Sequence, residues 1–246
     1  MKRTISARVG RGSVNHNTRK FHAKNTDPER SHLNITYCEE NIKAVYHELF
    51  DEALALYNSK QTRADRKIKD YYEKIRASKQ EKTFHEIILQ VGNKDDMHTG
   101  SDEGSLAVEI LEEYMAGFRE RNPQLSVFSA HLHMDEATPH LHIDFIPFTT
   151  GSKRGLETRV SLKQALAAQG FQGGSRGDTE WNQWVRSEKD QLSLVMQRHG
   201  IEWEKKDTHE KHLSVLDYKK EQRTKEIAAL ETVKAEKESE VAEQEQ

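Results

Sequence analysis

Cysteine is almost missing from this chain of 246 residues, because Cys38 is the only one. A single thiol excludes an internal disulfide and a cysteine-based zinc knuckle, and it suits a reducing compartment such as the cytoplasm. Long apolar runs are missing too. No stretch approaches the roughly 20 apolar residues of a membrane-spanning helix, and the basic opening lacks the apolar centre of a signal peptide. We therefore expect a cytoplasmic protein without a membrane segment.

A strong charge of one sign is also lacking, since 38 Lys and Arg against 41 Asp and Glu give a formal net charge of −3. This balance hides an asymmetry along the chain. Residues 1–34 hold eight basic and two acidic side chains (8 − 2 = +6), whereas residues 221–246 hold four basic and eight acidic ones (4 − 8 = −4). Any contact with nucleic acid must therefore come from local basic segments.

The apolar pattern predicts a mixed α+β fold. Alternating or β-rich stretches indicate strands at residues 4–9, 84–92, 125–134 and 140–148, the last two joined by "DEATP" as in an antiparallel hairpin. Glycine, asparagine and proline between residues 10 and 28 predict a loop. Three- and four-residue apolar spacing predicts helices over residues 41–60, 63–82, 101–122, 160–169 and 179–200.

Beyond about Leu213 the composition changes to Lys, Glu, Ala and Gln without Pro or Gly. The sparse apolar positions are Leu216, Ile227, Leu230 and Val241. This pattern predicts a solvated helix or a weak coiled coil that could join two copies in a homodimer. We expect a folded domain over residues 1–212 and a charged helical tail over residues 213–246, the start of a longer helical region.

The segment "HLHMDEATPHLH", residues 131–142, concentrates four histidines and two acids. Side chains two apart on a strand share a face, so His140 and His142 point the same way. The short turn lets His133 lie opposite or diagonal to them, at about 5 to 8 Å between Cβ atoms. One such histidine is usually just part of a polar face. Three neutral imidazoles around one point instead suit Zn, Mn, Ni, Co or Fe and leave positions open for a substrate.

Four neighbouring residues have more than one possible role in this pattern. Asp135 or Glu136 in the turn could ligate weakly, orient a histidine or accept a proton. His131 lies one pair further back, where we expect an outer or surface position. Asp144 shares the face of His142 and is either a partner of that ring or a solvated side chain.

Two basic segments are candidates for nucleic-acid contacts. The blocks "HNTRKF" and "DPERSHLN" lie in the predicted loop, where cations beside Asn and Ser donors suit phosphate binding. The candidate DNA contacts in this region are Arg8, Arg11, Lys20, Arg30, His32 and Asn34. Residues 60–82 hold nine basic and four acidic side chains with Tyr71 and Tyr72 among them, which suits either a single-strand channel or a solvated helix face.

Together, "HNTRKF" (16–21), "DPERSHLN" (27–34) and "HLHMDEATPHLHIDFIPF" (131–148) resemble the MobV, or Pre/Mob, family of plasmid mobilisation relaxases, also called plasmid recombination enzymes. The resemblance covers about residues 1–215. It implies an HUH endonuclease fold, an antiparallel sheet packed with helices and followed by a charged helix, in a bacterial cytoplasm. It also implies plasmid transfer-origin DNA, single-stranded or hairpin, as partner. The implied cofactor is a divalent ion, Mn²⁺ or Mg²⁺, held by the three histidines.

The resemblance also implies a reaction, strand-specific nicking and rejoining through a covalent protein–5′-phosphate intermediate. His16 is the implied nucleophile. Arg19 is expected to neutralise developing charge or to hold the His16 loop by pairing with Glu136. Some relatives carry tyrosine directly after "SHLN", where this chain has Ile35, and no tyrosine precedes Tyr37. This departure favours histidine over tyrosine.

Three other functions remain open on the sequence. A replication initiator or a transposase would use the same chemistry on different DNA. A DNA-binding repressor would use the histidines as a structural metal site and never cut, although open coordination beside His16 argues against it.

Overall fold

The computed structural model describes residues 1–205 and, further along, positions 220, 223, 224, 226–228, 230–234 and 237. The chain divides into two compact units, Met1–Lys205 and Lys206–Gln246. The described positions of the second unit are helical and exposed, as expected for a charged helix. Leu213, Leu216 and Val241 lie outside the described residues, and the coiled coil and homodimer stay predictions. Within the described part of the chain, no helix combines the length and apolarity needed to cross a membrane.

The first unit is built on an antiparallel sheet. Its strands are β1 (Lys2–Arg3), β2 (Ile5–Val9), β3 (Ile35–Glu39), β4 (His85–Val91), β5 (Leu125–His133), β6 (His140–Thr149), β7 (Arg159–Val160) and β8 (Glu202–Trp203). The strand order in the sheet is β2-β4-β6-β5-β3. Strand β7 pairs with the end of β6, and β1 pairs in parallel with β8.

Seven α-helices surround this sheet within residues 1–205. They are α1 (Val14–Asn17), α2 (Ile42–Ser59), α3 (Tyr71–Arg76), α4 (Asp102–Ala116), α5 (Phe118–Arg121), α6 (Leu162–Ala168) and α7 (Glu180–Arg198). Short 3₁₀ helices occupy Pro28–Leu33 and Ala64–Arg66.

The main core lies on one face of the sheet, where strand alternation places the apolar side chains. Leu132, Leu141 and Ile143 are fully buried there against α4, α6 and α7. Burying each such side chain stabilises the fold by about 1.5–3 kcal/mol. The opposite face carries His140 and His142. Helices α2 and α3 cover only its far end, around Phe128 and Ile146. The end that carries the histidines is covered by the segment between β2 and β3.

Side-chain caps set the start of the long helices where the sequence predicts them. Asn41 accepts backbone hydrogen bonds at the start of α2, Ser101 at the start of α4 and Thr179 at the start of α7. Each such cap contributes about 0.5–2 kcal/mol. The predicted helix over 101–122 is interrupted at Gly117, so it forms two helices, α4 and α5.

The prediction of one helix over residues 63–82 is wrong, because only the segment Tyr71–Arg76 forms an α-helix. The side-chain amide of Asn58 donates to the carbonyl of Ile68 at 2.8 Å and accepts from its N–H at 2.9 Å. Both backbone groups of Ile68 are therefore taken by a side chain and cannot join a helical ladder. Asp70 then caps the shorter helix. The sequence patterns also missed the short strands β1, β3, β7 and β8 and the helical turn α1.

Candidate metal and nucleophile site

The structure brings the three predicted metal histidines together on one face of the β5–β6 hairpin. His133 stands opposite His140 in the strand register, and His142 lies two residues further along β6, on the same face. The ring centroids are 4.6 Å apart for His133 and His142, 5.0 Å for His140 and His142, and 5.3 Å for His133 and His140. All three side chains are buried. Period-2 alternation and a short turn are enough to produce this convergence.

Each ring is held by one of its nitrogens. His133 Nε2 lies 2.9 Å from the Asn17 carbonyl, and His140 Nδ1 lies 2.8 Å from the Thr138 carbonyl. His142 Nδ1 lies 2.6 Å from Glu86 Oε1. In contrast, His133 Nδ1 and His142 Nε2 are buried without any hydrogen-bond partner among the described residues. Buried nitrogens without partners cost about 1–3 kcal/mol each, so the donor set fits a bound metal ion.

Electrostatics keeps these rings in the neutral form that ligates metals. Burial, then the neighbouring His142 and His140 rings, lowers the pKa of His133 to about 2. Burial is also the largest cause that lowers the pKa of His140 and, more strongly, that of His142. A neutral imidazole keeps one lone pair free for coordination.

The ligand atoms fall into two overlapping sets in which every atom lies within 4.8 Å of the others. One set is His16, His133 and His142, and the other is His133, Glu136 and His140. His133 belongs to both sets. The predicted trio is therefore bordered by His16, the nucleophile that the resemblance implies, and by Glu136, one of the two carboxylates of the turn.

His16 lies in the helical turn α1, directly above the cluster. Its ring centroid is 5.7 Å from that of His133 and 5.8 Å from that of His142. Its side chain is 21% exposed, so a ligand can reach it from solvent. Its Nε2 lies 3.5 Å from Glu136 Oε1 and 3.2 Å from Arg19 Nη1.

Arg19 adopts a left-handed backbone conformation with φ of 54°, the only such non-glycine residue in the described part of the chain. Residues in this region carry about 1–3 kcal/mol of strain and are retained where surrounding contacts enforce them. Arg19 donates to Asp135 through both Nε (2.8 Å) and Nη2, and to Glu136 Oε1 at 3.1 Å. The predicted pairing with Glu136 is present, but Asp135 forms the bidentate contact.

The structure separates the two carboxylates of the turn. Asp135 is fully buried and accepts hydrogen bonds from Arg19, Ser31 Oγ (2.7 Å) and Asn34 Nδ2 (2.8 Å). Burial alone would raise the pKa of Asp135, but these donors outweigh it and hold the pKa below the usual range. Both oxygens of Asp135 therefore accept from the segment between β2 and β3, and they tie that segment to the hairpin.

Glu136 is the carboxylate that faces His16. Its Oε1 also lies 3.8 Å from His140 Nε2, and its Oε2 accepts from Asn25 at 2.5 Å. Burial would raise the pKa of Glu136, but the hydrogen bond from His16 and the neighbouring His140 and Arg19 side chains lower it to about 2. Glu136 is therefore a permanently anionic neighbour of His16 and Arg19 at neutral pH.

The predicted DNA contacts differ in accessibility. Arg8, Arg11, Lys20 and His32 are exposed and line the amino-terminal region. Arg30 pairs with Asp27 at 2.9 Å. Asn34 uses both side-chain atoms inside the protein, toward Asp135 and the Met134 N–H.

The interpretation of Tyr71 as a stacking residue is wrong. Tyr71 is part of the core, where its ring packs against Phe50. Its hydroxyl accepts a hydrogen bond from the Val160 N–H at 3.1 Å. Tyr72 packs edge-on against Tyr46. An aromatic ring between cations in sequence thus became part of a core once α2 and α3 packed together.

Two further predictions concern Asp144 and His131. Asp144 accepts from Asn17 Nδ2 (2.9 Å) and Ser129 Oγ (3.1 Å) and is fully buried, so it is not a solvated side chain. Burial and the charge of Glu86 raise its pKa to about 7. His131 is buried beside Thr36, with Nδ1 3.1 Å from the threonine hydroxyl, and is therefore not a surface residue.

Sequence reasoning missed three residues of the site. Glu86 binds His142, and Asn17 binds Glu86 and His133. A charged residue inside the apolar strand "HEIILQV" is the signal that could have indicated Glu86, since unpaired carboxylates are rarely buried. Phe21 is 49% exposed with its ring 5.8 Å from that of His16, and no pattern distinguishes it.

These observations define a class of protein: an α+β fold whose antiparallel sheet holds a buried three-histidine cluster, with a fourth imidazole placed above it by an arginine and two carboxylates. The chain belongs to the plasmid recombination enzyme (Mob_Pre) family, whose model matches residues 17–220. The family expected from the three sequence blocks is confirmed.

Comparison with individual proteins agrees with this assignment. The chain is 25% identical over 221 residues to a plasmid recombination enzyme of Streptococcus agalactiae. The aligned region covers 85% of this chain and 36% of that protein. The chain therefore spans little more than a third of the length of this curated relative.

Solved structures of the MobM relaxase domain (MOBV; Mob_Pre), bound to plasmid pMV158 oriT DNA and manganese, are similar in fold. One crystal structure at pH 5.5 has a TM-score of 0.51 at 24% identity and covers 88% of this chain and 98% of that chain. Another at pH 4.6 has a TM-score of 0.51 at 21% identity and covers 88% and 99%. The predicted fold class, an antiparallel sheet packed with helices, is confirmed.

Proposed function

We propose that this protein is a metal-dependent DNA relaxase that nicks and rejoins one strand at a plasmid transfer origin through His16. The observation that carries the proposal is the placement of the His16 ring within 6 Å of two of the clustered histidine rings and in contact with Arg19 and Glu136. Membership in the plasmid recombination enzyme family and similarity to DNA-bound MobM structures support it.

In the proposed reaction a ring nitrogen of His16 attacks the scissile phosphorus. A nitrogen–phosphorus bond forms, the bond from phosphorus to the 3′ oxygen breaks, and the 5′ phosphate stays on the protein. The freed 3′ oxygen becomes a hydroxyl by taking up one proton, which balances the proton that the imidazole loses when it becomes a neutral phosphoramidate. Rejoining reverses these steps, because the phosphoramidate conserves the energy of the original bond.

Arg19 is suited to stabilise charge on the phosphate. Two of its nitrogens are held by Asp135, and this orients Nη1 toward His16 at 3.2 Å. A fixed guanidinium next to the attacking nitrogen stabilises the negative charge that builds on the phosphoryl oxygens. Lysine cannot make the same bidentate contact with Asp135 while also reaching the phosphate.

Glu136, and not Asp135, is suited to compensate the positive charge that His16 acquires as it attacks. It is the carboxylate that lies next to His16, at 3.5 Å. With a pKa of about 2, the Glu136 carboxylate does not stay protonated at neutral pH. We therefore assign it orientation of the ring and transient charge compensation.

His133, His140 and His142 would hold the divalent ion, Mn²⁺ or Mg²⁺. When bound, the ion polarises the nonbridging phosphate oxygens as a Lewis acid. Softer imidazole ligands favour Mn²⁺ over Mg²⁺, since Mg²⁺ prefers oxygen donors. The neutral state of the buried rings prepares the site for the ion without prior loss of protons.

The lowered histidine pKa values predict metal binding that resists acid. An ordinary histidine, with a pKa near 6.5, weakens metal binding below that pH by up to about tenfold per pH unit for each ring. Here the pKa of His133 is about 2 and those of His140 and His142 are lowered, so we expect Mn²⁺ affinity to fall less than about tenfold from pH 7 to pH 5. Calorimetric titration of metal-free protein at both pH values measures this. A fall of about a hundredfold or more would contradict it.

Phe21 is suited to receive the DNA base next to the scissile phosphate. Its half-exposed ring stands beside His16, and exposed Lys20 and Lys24 flank it. Aromatic rings among cations bind single strands by stacking, which contributes about 1–3 kcal/mol per base.

Phe21→Ala should therefore weaken binding of a single-stranded oligonucleotide about 5- to 150-fold, whereas Phe21→Trp should retain it. Fluorescence anisotropy with a labelled oligothymidine measures the affinity, because stacking tolerates any base. Leu194→Ala is the matched control, since Leu194 is equally exposed (48%) but lies on α7 behind the other face of the sheet. Equal losses for both variants would contradict a stacking role.

The proposed function is tested with supercoiled DNA of the plasmid or element that carries the gene. Conversion to the open circular form with Mn²⁺ or Mg²⁺, its loss with chelator, and a protein–DNA adduct are the expected results. Binding without nicking would favour a metal-stabilised repressor. Nicking confined to a replication origin or a transposon end would favour a replication initiator or a transposase.

A further inference from the structure

The carboxylate of Glu86, in the middle of β4, is one of the most connected groups in the described structure. The residue is 3% exposed. Its Oε1 accepts from His142 Nδ1 at 2.6 Å and from Asn17 Nδ2 at 2.8 Å, and its Oε2 accepts from the Gly12 N–H at 2.7 Å. Three donors therefore converge on one buried side chain, as an acceptor-only ionised carboxylate requires.

The loop before α1 is shaped around this carboxylate. A Cβ added at Gly10 would lie 1.8 Å from Glu86 Oε2, so only glycine fits there. Gly12 turns with φ of +70° and directs its N–H at the same oxygen. The segment that precedes His16 therefore packs closely against the Glu86 carboxylate at Gly10 and Gly12.

Asn17, the residue after His16, completes the connection from the other side. Its amide donates to Glu86, and its backbone carbonyl lies 2.9 Å from His133 Nε2. Glu86 therefore contacts one clustered histidine directly and reaches a second through Asn17.

We infer that Glu86 is a positioning residue that sets the tautomer of His142 and holds the His16 turn at a fixed distance from the three-histidine cluster. This inference rests on the proposed function. A carboxylate cannot donate, so the contact requires the proton on His142 Nδ1 and leaves the Nε2 lone pair for the ion. The same carboxylate anchors Gly12 and Asn17, the residues that flank His16. The proposed metal ligand His142 and the turn that carries the proposed nucleophile His16 are therefore both held by Glu86.

Glu86→Gln tests this inference with little change in size. An amide offers one acceptor oxygen for three donors, so its NH₂ must face either Gly12 or His142. We expect Mn²⁺ affinity, measured calorimetrically on metal-free protein, to fall about 10- to 100-fold. We also expect the ¹⁵N shifts of His142 to show that the Nδ1-protonated tautomer, dominant in the wild type, is lost or mixed.

Glu188→Gln is the matched control. Glu188 is an equally buried carboxylate, 3% exposed, that accepts from Tyr114, Arg121 and Asn122 on the other side of the sheet. Its replacement should lower the melting temperature but leave Mn²⁺ affinity within about twofold and the His142 shifts unchanged. Should Glu86→Gln fail to fold, Gly10→Ala displaces the same carboxylate without removing it, and we expect the same loss of affinity.

The outcomes separate this inference from the proposed function. Suppose that the wild-type protein binds Mn²⁺ and forms the adduct, and that the Glu86 and Gly10 variants keep the Mn²⁺ affinity and the His142 tautomer. This result would overturn the inference alone. A wild-type protein that binds no Mn²⁺ would overturn the metal-dependent function together with it. Selective loss in the Glu86 and Gly10 variants, with the Glu188 control unaffected, supports the inference.

Discussion

Replacement of His16 by alanine should abolish the covalent protein–DNA adduct while DNA and metal still bind. Loss of a nucleophile removes the covalent route, so adduct formation should fall by at least about 10³-fold. The ring of His16 is partly exposed and its α1 turn is anchored by Asn17 and Gly12, so the fold should survive the change. Electrophoresis of denatured protein with a labelled oligonucleotide detects the adduct.

His22→Ala is the matched control for this experiment. His22 is an exposed histidine in the same segment, outside the α1 turn, and its replacement should leave the adduct unchanged. His16→Tyr could restore a weak adduct if the loop places the longer side chain at the phosphate.

The chemistry of the linkage gives an independent check on His16. A phosphoramidate formed by an imidazole nitrogen hydrolyses readily in acid, whereas a tyrosyl phosphodiester resists the same treatment. We expect acid to release the DNA from the wild-type adduct. An acid-stable adduct would move the nucleophile to a tyrosine. Tyr37 is poorly placed for this, because it packs against the core on the opposite face of the sheet and burial raises the pKa of its hydroxyl.

Replacement of His142 by alanine should remove metal binding and nicking together. The loss of Mn²⁺ affinity should exceed the roughly 10- to 100-fold that removal of an outer hydrogen-bond partner costs, because a ligand itself is lost. His133→Ala and His140→Ala should behave alike, since the three ring centroids lie within 5.3 Å of one another. Calorimetry and plasmid relaxation on the same preparations measure both effects.

His131→Ala is the control within the same hairpin. His131 is buried two residues from His133, yet it belongs to neither set of converging ligand atoms. Its replacement should change Mn²⁺ affinity less than about threefold. If a variant in which all three clustered histidines are replaced still nicked DNA, the ion would be dispensable.

Much of the fold and of the histidine cluster could be predicted because the relevant information is local. Apolar alternation in "HLHIDFIPF" assigns Leu141 and Ile143 to the core and His140 and His142 to the other face. The five-residue turn "DEATP" returns the chain so that His133 meets His140. Capping residues such as Asn41 and Thr179 mark helix starts in the same local way.

Local information failed where a distant side chain competed with the backbone or where a short element depended on its neighbours. Asn58 occupies the backbone of Ile68 and prevents the helix that apolar spacing predicts there. Strand β3 has only five residues and exists because β5 offers a free edge. Tyr71 entered a core because α2 packs on α3.

By itself, the sequence determined the α+β class, the three histidines on one face and the family, since strand alternation, turn length and short motifs are properties of neighbouring residues. Only the tertiary structure decided which groups support those histidines. Asn17 reaches His133 across 116 residues, Arg19 reaches Asp135 across 116, and Glu86 reaches His142 across 56. These contacts depend on the insertion of β4 between β2 and β6, and strand order leaves no periodic trace in a sequence because it is set by the packing of the whole sheet.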